Sequence, residues 1–224
     1  MKPWSIEIDK DRFDKLKTEE RFWQLVALSR AVNALRFVHV ALLGHATEDD
    51  SFSAQRARNN SFFFNCALLY EALLLVERLR KHYHEVPEFE GLHQLLRDRA
   101  ATELRNSSLA TLRNRLTFHF DESEIGERLG STDHAPHFAS GDGNNNLNVY
   151  NELADACTLG AFLGSRLDEP DALAKLRARI QEATDLAVRF MDAAEDFIVA
   201  VLIAEGWEMQ RGEAIECDDR KEDV

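Results

Sequence analysis

Between about Phe52 and Tyr83 the chain reads as one long helix that is apolar nearly all round in its middle, where Phe62, Phe63 and Phe64 are followed by Cys66, Ala67, Leu68, Leu69 and Tyr70. A helix with no broad polar face must be enclosed by other elements, because leaving it in water would expose a large apolar area. This segment therefore predicts the central helix of a helical domain. Asp49, Asp50 and Ser51 offer N-caps for it, and Pro87 marks the break beyond it.

The flanking sequence supplies partners for that helix. From about Glu19 to Gly44, Phe22, Leu25, Val26, Val32, Leu35 and Leu42 recur at helical spacing. Two shorter helices are expected near 88–98 and 102–120, the second with Leu109, Leu112, Leu116 and Phe120 as its buried stripe. Helical order resumes over 149–166, where Gly160 and Gly164 stand one turn apart and suit close helix packing. Pro170 fits the first turn of a last helix. That helix carries Leu173, Leu176, Ile180, Ala183, Ala187, Phe190, Ala194, Phe197 and Val201 as a one-sided stripe. Continued to Trp207, it measures on the order of 50 Å at ~1.5 Å per residue. With only 4 prolines and 10 glycines, long helices are favoured over a turn-rich β architecture.

Residues 121–147 break the pattern with Gly126, Gly130, Pro136, Gly141, Gly143 and the run Asn144-Asn145-Asn146. They read as a long loop with at most a helical turn near 123–129, and loops of that length tend to be functional. The expected fold class is all-α: one antiparallel bundle of about five long helices with this loop inserted. Residues 19–207 form the bundle, 1–18 an N-terminal extension and 208–224 an acidic tail without regular structure.

A net charge of −13, from 27 Lys+Arg against 40 Asp+Glu, argues against a surface that coats nucleic acid broadly and leaves room only for a small basic cleft. Cys66, Cys157 and Cys217 are odd in number and far apart, suggesting neither a disulfide framework nor a zinc site and fitting a reducing cytoplasm. No signal peptide is read at the N-terminus, and no apolar run is read as approaching the ~20 residues that span a bilayer, so no membrane partner is expected.

Polar groups then stand where the pattern wants apolar ones. Helix 19–44 carries Asn33, Arg36 and His39, and helix 52–83 carries Asn60, Asn65 and Glu71. Asn60, Phe64, Ala67 and Glu71 follow one face, so Glu71 is expected to point inward and to need a cation, with Arg36, Arg113 and Arg115 available. The densest cluster is Arg113-Asn114-Arg115-Leu116-Thr117-Phe118-His119. A guanidinium grips phosphate in a forked geometry and an imidazole moves protons near neutral pH, the two services that RNA cleavage without a metal needs. On a continuous helix Arg115 and His119 share a face, while Arg113 lies about 120° round from His119 and could meet it if a second subunit completes the site.

The segment Leu112–Asp121 resembles the signature of the HEPN superfamily: an arginine, a polar residue, then a histidine four to six positions beyond. Arg113, Asn114 and His119 match it, one residue wider than the commonest form. The resemblance implies a helical domain that pairs into a homodimer and, in many members, a metal-independent endoribonuclease of toxin or phage-defence type acting on RNA. It would make His119 the acid–base group, Arg113 the phosphate holder and Asn114 an orienting residue, with Arg115 touching the RNA backbone and Glu71, Arg36 and Asn60 in support. Products would be a 2′,3′-cyclic phosphate and a 5′-hydroxyl. Other members keep the bundle without activity, as RNA-binding or protein-interaction modules. The acidic surface would also suit a basic, antitoxin-like protein partner.

No cofactor is called for. His134 with His137, and His82 with His84, are pairs without the third and fourth ligands that a metal site requires. Gly141-Asp142-Gly143 lacks the lysine and hydroxyl residue of a phosphate-cradling loop.

Overall fold

The computed structural model describes residues 4–44, 51–130, 138–140, 149–167 and 169–211. The architecture is all-α. Helices α1 (Lys10–Leu16), α2 (Glu20–Gly44), α3 (Phe52–Tyr83) and α4 (Phe89–Arg97) are followed by α5, which begins at Arg99–Leu104. From there the chain continues with wide π-helical turns over Arg105–Leu109 and Leu112–Thr117, so that 99–117 acts as one motif helix. Then come α6 (Glu122–Gly130), α7 (Glu152–Leu163) and α8 (Ala172–Ala204).

Helix α3 is the hub. Phe62, Phe63, Cys66, Ala67, Leu69, Ala72, Leu73, Val76 and Leu79 are all buried, by α2 along much of their length and by the motif helix and α4. Helices α2 and α3 form an antiparallel hairpin, tied at its open end where the Tyr83 hydroxyl donates to the Arg21 carbonyl at 3.0 Å. Burial pushes the Tyr83 phenol up to about 12, so it stays a donor. Helix α8 lies across α2 and α4, and its buried stripe includes Leu176, Ala183, Leu186, Ala187, Phe190, Ala194, Phe197 and Val201. Phe197 stacks edge-on against both Tyr83 and Phe89, with centroids 5.2 and 5.3 Å away. Gly91 lets α4 approach α8: a Cβ there would sit 3.3 Å from that of Ala193.

Caps account for several boundaries. Ser51 accepts from the Ala54 amide at 3.2 Å to start α3, and Asp98 accepts from Ala100 and Ala101 at 2.9 and 3.4 Å to start the motif helix. Asp49 and Asp50, the other caps read from sequence, lie outside the described residues. Gly164 adopts φ 77° and ends α7, so the Gly160–Gly164 pair serves a helix stop and not helix packing. Helix α8 starts at Ala172 after Asp171 in the left-handed region, which leaves Pro170 in the turn before it. Leu173 is 63% exposed, off the buried stripe expected of it.

Three further expectations change. The N-terminal extension has structure: β1 (Trp4–Glu7) pairs antiparallel with β4 (Glu208–Arg211), and Arg12 on α1 donates to the Gly206 carbonyl at 3.0 Å. The stretch 121–147 contains the nine-residue α6, and β2 (Phe138–Ser140) pairs with β3 (Val149–Asn151); 131–137 and 141–148 lie outside the described residues. And α2 is, by length and composition, apolar enough to cross a bilayer, although its inner side is part of the core. Asn33, Arg36 and His39 interrupt its pattern enough to hide this from a scan for unbroken apolar runs.

Asn65 is the anomaly of the core. It is fully buried on α3, and among the described residues neither its amide oxygen nor its nitrogen has a hydrogen-bond partner. Enclosing an amide unpaired costs about 1–3 kcal/mol. Asn65→Leu, which keeps the branching and puts methyl groups where the amide atoms stand, should therefore raise the unfolding free energy by up to about that amount in urea titration; a loss of stability would show that the amide is satisfied in solution.

Candidate functional site

The motif helix runs antiparallel to α3 and lies beside an open seam of it. Two contacts fix the register: Arg113 meets Glu71, and two turns back along α3 Phe118 meets Phe64 with ring centroids 6.0 Å apart. Nε of Arg113 lies 2.5 Å from Oε1 of Glu71, and Nη1 donates to the Asn114 side-chain oxygen at 3.2 Å. The Nε–Glu71 contact is an ion pair without hydrogen-bond alignment, since the Nε proton finds no acceptor along its axis. Both side chains are partly open to solvent, 33% for Arg113 and 43% for Glu71. Glu71 thus takes its cation from the motif helix, at the edge of the core and not inside it. Phe62 and Phe63 are buried, while Phe64 is 41% exposed.

Arg115 does a different job from the one the resemblance assigns it. It is committed to two carboxylates: Nε donates to Asp121 Oδ2 at 3.0 Å, and Nη1 pairs with Glu124. Glu124, with 3% of its side chain exposed, also accepts from Nε and Nη2 of Arg128 at 3.1 and 3.0 Å. A buried carboxylate flanked by two guanidinium groups has its charge compensated, as burial demands. In addition, the Asp121 amide donates to the Arg115 carbonyl at 2.6 Å. Residues 115 and 121 are therefore joined through both backbone and side chain, closing a short bend over 116–120.

That bend presents His119. The helix ends at Thr117, earlier than the 102–120 expected, because Phe118 leaves helical geometry and Phe120 takes φ 48°, a left-handed conformation that costs a bulky residue energy. His119 therefore stands off the helix, and the shared face with Arg115 is lost. It is exposed and makes no hydrogen bond or ion pair among the described residues. Phe118 and Phe120 on either side are 50% and 71% exposed, so Phe120 does not join the core stripe.

Of the remaining residues singled out from sequence, Arg36 is elsewhere: its Nε and Nη2 clasp both oxygens of Glu195, tying α2 to α8. Asn60 is exposed and donates to the Arg56 carbonyl at 2.8 Å within its own helix. The structure thus brings Glu71, Arg113 and Asn114 together, presents His119 on the stapled bend beyond the helix end, and leaves Arg36 and Asn60 out. Phe64, Phe118, Asp121 and Glu124 were not anticipated. Asp121-Glu122-Ser123-Glu124 is a capping sequence that could have revealed α6, because Asp121 Oδ1 accepts from the amides of Ser123 and Glu124 at 2.9 and 3.3 Å.

No protein-family model, curated protein or solved structure matches this chain.

The Ser123 hydroxyl, then Arg115, then the α6 amides hold the Asp121 carboxyl below the usual carboxylate range. Asp98 is lowered in the same way by the Ala101 amide and Arg189. Because the unfolded carboxyl, near 3.9, binds its proton first, the stabilisation is fully present above about pH 4 and is lost as pH falls below that. Asp121→Asn keeps the capping oxygen but removes the charge. It should be less stable than wild type at neutral pH, with the gap closing on acidification in urea titrations run from neutral to about pH 3; parallel pH curves would refute the assignment.

Proposed function

We propose that this chain is a HEPN-like endoribonuclease acting on single-stranded RNA, with Arg113 and His119 as its catalytic pair. The observation that supports this reading best is the bend at 118–120: an exposed imidazole between two exposed phenyl rings, with a guanidinium at the edge of the same seam. Unpaired bases stack on exposed aromatic faces, each contributing about 1–3 kcal/mol, so the ring pair gives a nucleotide somewhere to rest. Arg113 then holds the scissile phosphate and offsets charge building on it. The His119 imidazole takes the proton of the ribose 2′-hydroxyl, the 2′-oxygen–phosphorus bond forms as the phosphorus–5′-oxygen bond breaks, and a proton returns to the departing 5′-oxygen. The ends left are a 2′,3′-cyclic phosphate and a 5′-hydroxyl. Asn114 steadies Arg113, and Arg115 serves by holding the bend and not by touching RNA. A toxin or phage-defence role in the cytoplasm, with an antitoxin-like protein covering the site, follows from the same resemblance.

One observation favours a second reading, an inactive RNA-binding or protein-interaction module: Glu71 already neutralises Arg113. Glu71→Gln separates the two. An exposed ion pair contributes only ~0–1 kcal/mol, so stability should barely change. Under the nuclease reading the freed guanidinium binds RNA more tightly.

Purified protein incubated with mixed RNA and a chelator should yield 2′,3′-cyclic phosphate ends. His119→Ala should reduce the rate by at least ~10²-fold, the usual contribution of a general acid–base group. Arg113→Ala should fall similarly, while Phe118→Ala should raise KM more than it lowers kcat. Undiminished cleavage by His119→Ala would refute the catalytic assignment.

A further inference from the structure

A trough runs along the seam between α8 and the segment 85–95, which leads into α4 and forms its first part. Two open depressions of about 930 and 500 Å³ make it up, with Pro87, Glu88 and Asp196 as their shared wall. From Arg189 to Ala204 its α8 side extends ~22 Å at ~1.5 Å per residue. Apolar side chains line the larger depression, Val86 from one side and Val199 and Ile203 from the other, and Ile203 is 47% exposed. Polar groups, Gln94, Arg189 and Asp192, stand round the smaller one. The trough is therefore graded, apolar toward Ile203 and acidic toward Asp192.

Its charge has one sign. Glu85, Glu88, Asp192 and Asp196 are exposed along it, and among the described residues no lysine or arginine pairs with any of them. Glu85 has only the imidazole of His84, 3.8 Å away. The arginines that could offset these carboxylates are taken: Arg189 holds Asp98 at 3.1 Å, and Arg36 clasps Glu195 on the wall. Carboxylates without counter-charge beside exposed apolar surface favour an incoming cation that also carries apolar groups. They repel phosphate, so the trough does not extend an RNA path.

The shape of the occupant follows from the walls. Asp192 and Asp196 stand one turn apart on α8, so cations one turn apart on a second helix meet them in step. The long wall is itself a helix and has no free strand edge. An extended peptide gains no main-chain partners there, whereas a helix satisfies its own amides and carbonyls. We propose that this trough docks a cationic amphipathic helix of a partner protein, laid along α8. Its lysines or arginines meet Asp192 and Asp196, with Glu88 on the other side of the trough, and its apolar residues cover Val199 and Ile203. None of these residues belongs to the bend, the motif helix or the open strip of α3. The docking site is independent of the nuclease reading, and failure of either leaves the other standing.

The probe is a labelled peptide of about fifteen residues, long enough as a helix to line the trough. It is built of leucine, alanine and lysine, with lysines one turn apart toward one end and leucines toward the other. Titrated with the full chain and followed by fluorescence anisotropy, it should bind saturably in the micromolar range and more weakly as salt is raised. Amide shifts of the labelled protein should change over 85–95 and 189–204. Asp192→Lys with Asp196→Lys, and separately Ile203→Glu, should each weaken binding by at least about 10-fold. Circular dichroism should stay unchanged, because all three side chains are exposed. No saturable binding would overturn the proposal, as would equal binding of a copy with glutamate for lysine or of a copy broken by proline. So would binding that survives the Asp192→Lys and Asp196→Lys pair, or shifts confined to another face of the bundle.

Discussion

A helix of thirty-two residues whose middle is apolar nearly all round persists in water only when something covers that middle, and in this protein α3 is that helix. Its enclosure organises the rest of the molecule. Helix α2 takes one flank as an antiparallel hairpin partner, the motif helix takes another and α4 closes one end. Helix α8 then covers α2 and α4. The one longitudinal strip left open carries Phe64 and Glu71, and the motif helix uses those two side chains to set its height and register on α3.

Charged groups stand at and beside that open strip for a physical reason. Charged groups are tolerated where water still reaches them or where opposite charges meet them. Arg113 and Glu71 satisfy the first condition, and the set Arg115, Asp121, Glu124 and Arg128 satisfies the second. The same set forces the chain into a tight turn, because Arg115 and Asp121 are joined through both backbone and side chains. A bend so fastened can hold Phe120 in a left-handed conformation and hold His119 out to solvent without a hydrogen bond or ion pair among the described residues. Wide π-helical turns just before it are a feature often found where helices carry function.

Much of this was legible in the residues. The all-round apolar middle of α3, the stripe of α8 and the stop at Gly44 set the bundle, and their elements stand close to where spacing put them. The site was legible only in part. That Glu71 takes a cation followed from its charge, with Arg113 one of three candidates, but the ion pairs of Arg115 could not be foreseen because its partners, Asp121 and Glu124, follow the helix end and no helical periodicity links them to it. The place of His119 depended on where the helix stopped. A run of helix-compatible residues through Phe120 conceals a stop that is imposed by the Arg115–Asp121 link and not by proline or glycine. Expecting Asn60 and Arg36 at the site failed for a related reason: sharing a face says nothing about which neighbour that face meets, and Arg36 found Glu195 on α8.

In the function we propose, the open strip of α3 and the fastened bend beside it form one RNA-binding surface. Amide shifts recorded while a short unstructured RNA is titrated into isotope-labelled protein are the most direct test. Saturable changes are expected over 64–71 and 113–121, with the outer face of α2 undisturbed. No saturable change, or changes confined to another face of the bundle, would contradict that function.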